Sequence, residues 1–310
     1  MSGVARAGGV PDYGPSGTIN FNPEIYSGKL VEKFYKTTVF GEICSTDYEG
    51  EIAGYGAQVK IRTIPTVTVS DYVIGAGLTS QYPSNNSVTL AIDQAKSFAV
   101  ALSTVDSRQS DIDMADVFAN DGSIQLRIAA DSDLLTTIPA SVGADNHGPN
   151  AGVDSVSINL GDSTNPVSVS KTTVVEFIVD CGTVMDEQNV SDEGRWMVVP
   201  PWFVALIKKS DLRIASLAGD GVSILRNGKV GEIDRFTIYQ SRNLLTQTSP
   251  GPASYILFGH AAGLTFAAQI VECQMIDNPS DFGYIIRGLM VFGFKVVESK
   301  YIGLAVVRRS

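Results

Sequence analysis

Histidine is nearly missing from this 310-residue chain, which carries only His147 and His260. Two imidazoles are a poor stock for general acid–base chemistry. Cysteine is scarce as well. Cys44, Cys181 and Cys273 are odd in number and far apart, which argues against a disulfide framework and against zinc-spaced pairs, and suits buried free thiols in a reducing compartment. Charge is thin: 18% of residues are charged, against the roughly 25% of an ordinary soluble protein, so part of the surface is expected to be covered by something else. Positive charge is outnumbered, with 23 Lys and Arg against 33 Asp and Glu and a net charge of −10. Binding a phosphate backbone is therefore not the main task. No apolar run approaches the ~18 residues of a membrane span, and residues 1–15 lack the apolar core of a signal peptide. The expectation is a protein soluble at synthesis, cytoplasmic when made, with no membrane partner.

Catalytic motifs are absent too. No Gly-x-Ser-x-Gly elbow occurs. The string from Gly221 to Lys229 has six residues between its glycines, and Val230 stands where a phosphate loop needs Ser or Thr. Gly54-Tyr55-Gly56 and Gly75-Ala76-Gly77 lack the third glycine of a dinucleotide turn. Asp106, Asp111, Asp113 and Asp116 have no calcium-loop spacing and read as decoration of a helix start, where negative charge is favoured. His260, in an apolar Gly-His-Ala-Ala setting, reads as a satisfied core or interface histidine. No catalytic, cofactor-binding or metal-ligating residue is assigned, and no cofactor is expected.

What is present is an unusual order of parts. Residues 1–22 hold Gly3, Gly8, Gly9, Pro11, Gly14, Pro15 and Gly17, too much backbone freedom for a packed element, and read as an arm. Asn22-Pro23-Glu24 opens a short amphipathic helix carrying Ile25, Leu30, Val31, Phe34 and Tyr35. From Glu51 the pattern has period two, with Val59 and Ile61 on one side and Lys60 and Arg62 on the other. With the turn-rich stretch 75–87 and the extended run 87–102, it reads as a long hairpin with too little apolar mass for its own core. One long helix is expected over about 109–138, stopped by Pro139, with Gly122 as a possible bend. A glycine-rich loop over 143–166 follows, with a short strand at 153–160. Residues 171–184 are a candidate helix that their Val and Thr content leaves open. Residues 196–207 form a strand pair or a strand-to-helix junction broken at Pro200-Pro201. Apolar β-branched strands over 254–266 and 284–307 end an α+β chain.

This order resembles the major capsid proteins of tailed bacteriophages, the Hong Kong 97 fold. The resemblance covers nearly the whole chain and rests most on Asp192-Glu193-Gly194-Arg195-Trp196-Met197-Val198-Val199-Pro200-Pro201, on Gly228 through Tyr239, and on the ending Phe282 to Val307. It implies an N-arm and short helix in 1–50, an extended E-loop hairpin in 51–101 and a peripheral domain with its spine helix in 102–140. An axial domain over 141–280 and returning peripheral strands over 281–310 complete the set. A shell of hexamers and pentamers enclosing the phage double-stranded DNA, without sequence-specific binding, is then the expected function, located in the virion and assembled in the host cytoplasm. The family often has a scaffolding segment before the arm; only about 22 residues precede Pro23 here, which implies a separate scaffolding protein or none, and a portal is an expected partner.

Lys60, Arg62, Arg108, Arg195 and Arg235 are candidate intersubunit contacts, with Arg127 and Arg226 in the same class, and Gly122 is the candidate hinge for shell expansion. Some relatives crosslink a hairpin lysine to a distant asparagine, and Lys60 would be the residue. A bacterial nanocompartment shell of the same fold, or a soluble α+β hydrolase, are the alternatives.

Overall fold

The computed structural model describes residues 36, 38–47, 58–62, 65, 67–72, 74, 75, 77, 80–82, 87–104, 114–210, 231–249, 251–279 and 281–310. The expected arm and its following helix, Arg108, Arg226, Asp106, Asp111, Asp113, Gly54-Tyr55-Gly56 and the 221–229 string lie outside the described residues. In chain order the elements are α1 (Phe40–Ile43), β1 (Gln58–Arg62), β2 (Ser87–Ala91), β3 (Gln94–Ser103), α2 (Met114–Thr137), β4 (Val167–Val169) and α3 (Val174–Glu187). They continue with β5 (Arg195–Val199), α4 (Pro201–Lys209), β6 (Glu232–Ile233), β7 (Phe236–Gln240), β8 (Thr246–Gln247), β9 (Ala253–His260), β10 (Leu264–Asp277), β11 (Gly283–Val296) and β12 (Ile302–Arg309).

The β5 sequence, Arg-Trp-Met-Val-Val, is buried at every position, the mark of a strand covered on both faces. It lies within a seven-stranded mixed sheet ordered β4-β12-β9-β5-β7-β6, with β8 on one end of β9. Alternate residues feed two separate cores. Met197, Val199, Ile256, Phe258, Ala305 and Val307 join one core with α3 and α4. Trp196, Val198, Leu257, Ile302 and Leu304 join the other, with α2 and the second sheet. That second sheet is antiparallel, ordered β10-β11-β3.

Local chemistry explains the junctions. Pro200-Pro201 ends β5, and Pro201 starts α4 with its preset backbone angle, so the junction is strand to helix. The open segment resolves as helix α3 because Phe177, Ile178, Cys181, Val184 and Met185 fall on one buried stripe. The two-residue turn joining β6 to β7 holds Asp234 (φ 48°) and Arg235 (φ 63°), the left-handed geometry that matches the twist of a tight hairpin.

Several expectations are corrected by strand pairing. The protruding hairpin narrows to β1 and β2, which pair from Gln58↔Ala91 to Arg62↔Ser87. Residues 94–101, expected in the hairpin, instead belong to β3, which runs along β11. The expected boundary at 280/281 does not follow the sheets: β10 pairs with β11 in the three-stranded sheet, and β12 runs inside the seven-stranded one. Period-two patterns reveal strands but not which sheet takes them. The strand expected over 153–160 reduces to one isolated bridge, Ala151↔Ile158. Of the three thiols, Cys44 and Cys181 are buried and Cys273 is exposed, and burial raises the two buried thiols far above their ordinary titration range.

Gly122 lies within α2, which runs through it unbroken. The glycine has a packing reason: a Cβ there would collide with the tip of the Phe98 ring, and one at Gly288 would collide with the same ring. Phe98 is thus held between helix and sheet by two missing side chains. Gly122→Ala should lower thermal stability, because overpacking of about 1–3 kcal/mol outweighs the ~1 kcal/mol gained in helix propensity. In a Phe98→Ala background the same substitution should stabilise. Thermal denaturation of the four chains checks this; no change of sign would discard the slot.

Candidate assembly surfaces

Among the described residues, the β1–β2 ladder packs on the rest of the chain through a few apolar side chains. Ile61, Leu90 and Ile92 pack with Ala267 in a small third core. Further out, Val67 and Tyr72 are exposed, and Val69, Ile74 and Tyr82 are 92%, 90% and 93% exposed. The two legs of this tip are clipped together: the Thr68 amide donates to Gln81 Oε1 (3.0 Å) and Gln81 Nε2 donates to the Thr68 carbonyl (2.6 Å). One glutamine side chain here imitates a strand pair. A lone subunit gains nothing from leaving these large apolar side chains in water, and exposed apolar surface grouped on one segment points to an interaction site.

A second protrusion is the β10–β11 end, where Met275, Phe282 and Tyr284 are exposed, Phe282 at 87%. Between α1, α2 and the three-stranded sheet lies a groove of about 310 Å³ lined by Phe40, Phe98, Leu126, Arg127, Phe266 and Met290 among others. The expected contact residues fall into two groups. Lys60 and Arg62 point outward from β1 with exposed side chains, beside the apolar tip.

Arg195 does not lie on a surface. It is fully buried because its side chain folds back over the loop before its own strand. Its Nε donates to the Ser191 carbonyl (2.8 Å) and its Nη2 to the Val190 carbonyl (2.6 Å). The same Nη2 pairs with Asp186 (2.7 Å) and Asp192 (3.1 Å). Arg235, from the β6–β7 turn, pairs with Asp186 (2.8 Å) and Asp192 (2.6 Å). Two arginines and two aspartates therefore bind the end of α3, the start of β5 and the β6–β7 turn into one corner. Burial pushes the Asp186 carboxyl up, but the hydrogen bonds from Arg235 and Arg195 outweigh it and hold it below the usual carboxylate range.

Both histidines serve turns. His147 Nδ1 lies 2.9 Å from the Gly143 carbonyl, and His260 Nδ1 accepts the Ala262 amide at 3.1 Å. The described residues contain no group of three or more His, Cys, Asp and Glu able to hold a metal, and no helix long and apolar enough to cross a membrane.

Comparison with known proteins shows the family. The family model described as phage capsid protein matches residues 87–307. The chain belongs to the phage capsid protein family. The capsid protein is similar in structure to a protein of Mycobacterium phage Che8, at 25% identity and TM-score 0.75, over 92% of this chain and 97% of that one. The capsid structure of the cyanophage P-SCSP1u matches at 15% identity and TM-score 0.68, over 97% and 98%. The mature capsid of bacteriophage PhiM1 matches at 16% and 0.65, over 94% and 93%. No curated protein matches the sequence. The fold is the α+β Hong Kong 97-like capsid fold, and the capsid protein is a structural, major capsid protein that assembles with copies of itself into the shell of a virion.

Proposed function

We propose that the shell is icosahedral, built of hexamers and pentamers, encloses double-stranded DNA, and is held together by the β1–β2 hairpin and the N-terminal arm lying across neighbouring subunits. The observation that carries the hairpin part is the exposure of Val69, Ile74 and Tyr82 on the connection between β1 and β2, whose paired strands pack in the small third core. Burying such side chains against neighbours is favourable by about 2 kcal/mol each, repeated at each contact of a closed lattice. Lys60 and Arg62, beside the tip, serve as charged contacts at the rim of that interface; Arg235, partly exposed, adds one at its corner. With a net charge of −10, the chain suits a container from which packed DNA must slide free rather than a DNA binder. A separate scaffolding protein and a portal would start and size the shell in the host cytoplasm, and α2 would bend near Gly122 on expansion.

The test is expression of the chain with and without phage partners, followed by negative-stain electron microscopy and nuclease treatment. Closed isometric particles, with DNA protected when the packaging proteins are present, are expected. Particles filled with an enzyme in place of DNA would turn the reading to a nanocompartment, and small monodisperse globules would end it.

A further inference from the structure

The spine helix α2 carries one charged residue where its own packing calls for an apolar one. Asp131 is completely buried, together with Ala130, Leu134 and Leu135 on the same stripe. Its carboxylate is spent on two other parts of the chain. Oδ1 accepts the backbone amides of Val39 (2.8 Å) and Phe40 (2.9 Å), which open the single turn α1. Oδ2 accepts Nδ2 of Asn243 (2.7 Å), from the loop after β7. All three partners are neutral, and removing a carboxylate from water costs several kcal/mol, so an apolar residue would serve packing better. Burial accordingly pushes the carboxyl up, against the pull of these three hydrogen bonds.

The segment that Asp131 holds is the root of the N-terminal portion. From Val39 the chain passes α1 and reaches Ser45, which bridges Thr265 in parallel along the outer edge of β10. There the Ser45 amide donates to the Leu264 carbonyl (2.8 Å) and the Ser45 carbonyl accepts the Phe266 amide (3.0 Å). Val39 is buried and the Phe40 ring lies 4.8 Å from that of Phe266. Residues 38–47 are therefore a strap, sealed by apolar contact, tied to β10 at Ser45 and held at its start by one acceptor. That carboxylate also reaches the loop after β7 through Asn243, so strap, spine helix and that loop meet at a single side chain.

We propose that Asp131 is a positioning residue for assembly: by accepting the Val39 and Phe40 amides it fixes the strap, residues 38–47, in the orientation that assembly with a second copy of this chain requires. This rests on the shell reading above. The carboxylate acts as an acceptor, and its charge is dispensable. Asn243 Oδ1 is buried with no hydrogen-bond partner among the described residues. In Asp131→Asn the retained Oδ1 still accepts both amides, and the new NH2 group can donate to Asn243 once that side-chain amide turns over.

Hydrogen exchange and particle yield on the full chain, with Asp131→Asn and Asp131→Ala beside the wild type, test this. In Asp131→Ala the Val39 and Phe40 amides should exchange roughly tenfold faster or more, with β9 and β12 unchanged, and the yield of closed particles should fall by a similar factor. Asp131→Asn should match the wild type in both. Unchanged exchange in the alanine variant, or fast exchange with a normal particle yield, would overturn the assignment. So would an asparagine variant that behaves like alanine, since charge and not acceptance would then be at work. If the alanine variant also loses protection in β9 and β12, exchange in Phe40→Ala, which keeps the acceptor, supplies the second comparison: strap amides loosened less there than in Asp131→Ala support the anchor, and equal loosening refutes it. A wild-type chain that forms no closed particle defeats the shell reading itself, a result separate from the difference in exchange.

Discussion

Serine at Val69, Ile74 and Tyr82 together should leave the subunit folded and abolish closed particles. All three side chains are at least 90% exposed, so the isolated subunit loses no contact, and surface substitutions of this kind usually stay within about 0.5 kcal/mol. In a lattice the same side chains would leave water. At about 2 kcal/mol each, their loss weakens every hairpin contact by roughly 6 kcal/mol before cooperativity multiplies it. The Gln81 clip to Thr68 remains, so the tip keeps its shape and only its adhesion changes. Circular dichroism with sedimentation velocity reads both halves. Normal shells from the triple variant would remove the hairpin from the assembly interface.

Arg195→Ala should be the most damaging single substitution for the subunit itself, destabilising it by about 3 kcal/mol. The arginine is completely buried, and its loss strands the Val190 and Ser191 carbonyls and half of the Asp186 interaction. Arg195→Lys should recover only part, because an ammonium cannot reproduce the fork. Urea denaturation of unassembled subunits is the measurement; a loss under 1 kcal/mol would mean the corner is ornamental. The corner also sets a direction with pH. The Asp186 carboxyl is lowered by Arg235 and Arg195 against the upward push of its own burial, so the folded state holds the ionised form more tightly than the unfolded state does. Its contribution is present above the unfolded value of ~3.9 and is lost as pH falls through the folded value. Arg235→Gln should make the acid limb of the stability curve shallower.

The parts of the fold set by local chemistry were legible in the sequence. Pro139 stops the long helix just after α2, Pro200-Pro201 breaks β5 from α4, and the alternation of Val59 and Ile61 marks the hairpin strand. What was not legible depends on residues far away in the chain. The apolar run of β10 reads the same whichever sheet accepts it. Arg195 sits after Asp192-Glu193-Gly194, a turn signal that suggests solvent, and nothing nearby announces that Asp186 and Arg235 close over it. At Gly122 the missing side chain is visible but Phe98 opposite it is not. Asp131 did leave a trace: it stands three and four residues before Leu134 and Leu135, a carboxylate within an apolar stripe, and that conflict of patterns was the available clue.

The three-stranded sheet has a mechanical consequence. β11 is registered against β3 continuously from Gly283↔Ser103 to Phe292↔Gln94, while its other edge is engaged by β10 from Leu264↔Val296 to Asp277↔Tyr284. A neighbour pulling on the β10–β11 turn would try to slide β11 lengthwise past β3, and sliding strains all the rungs of a ladder at once, where peeling would break them singly. A wall made of such pieces yields late and abruptly when pressed from within, in the manner of a lap joint and not of a zipper.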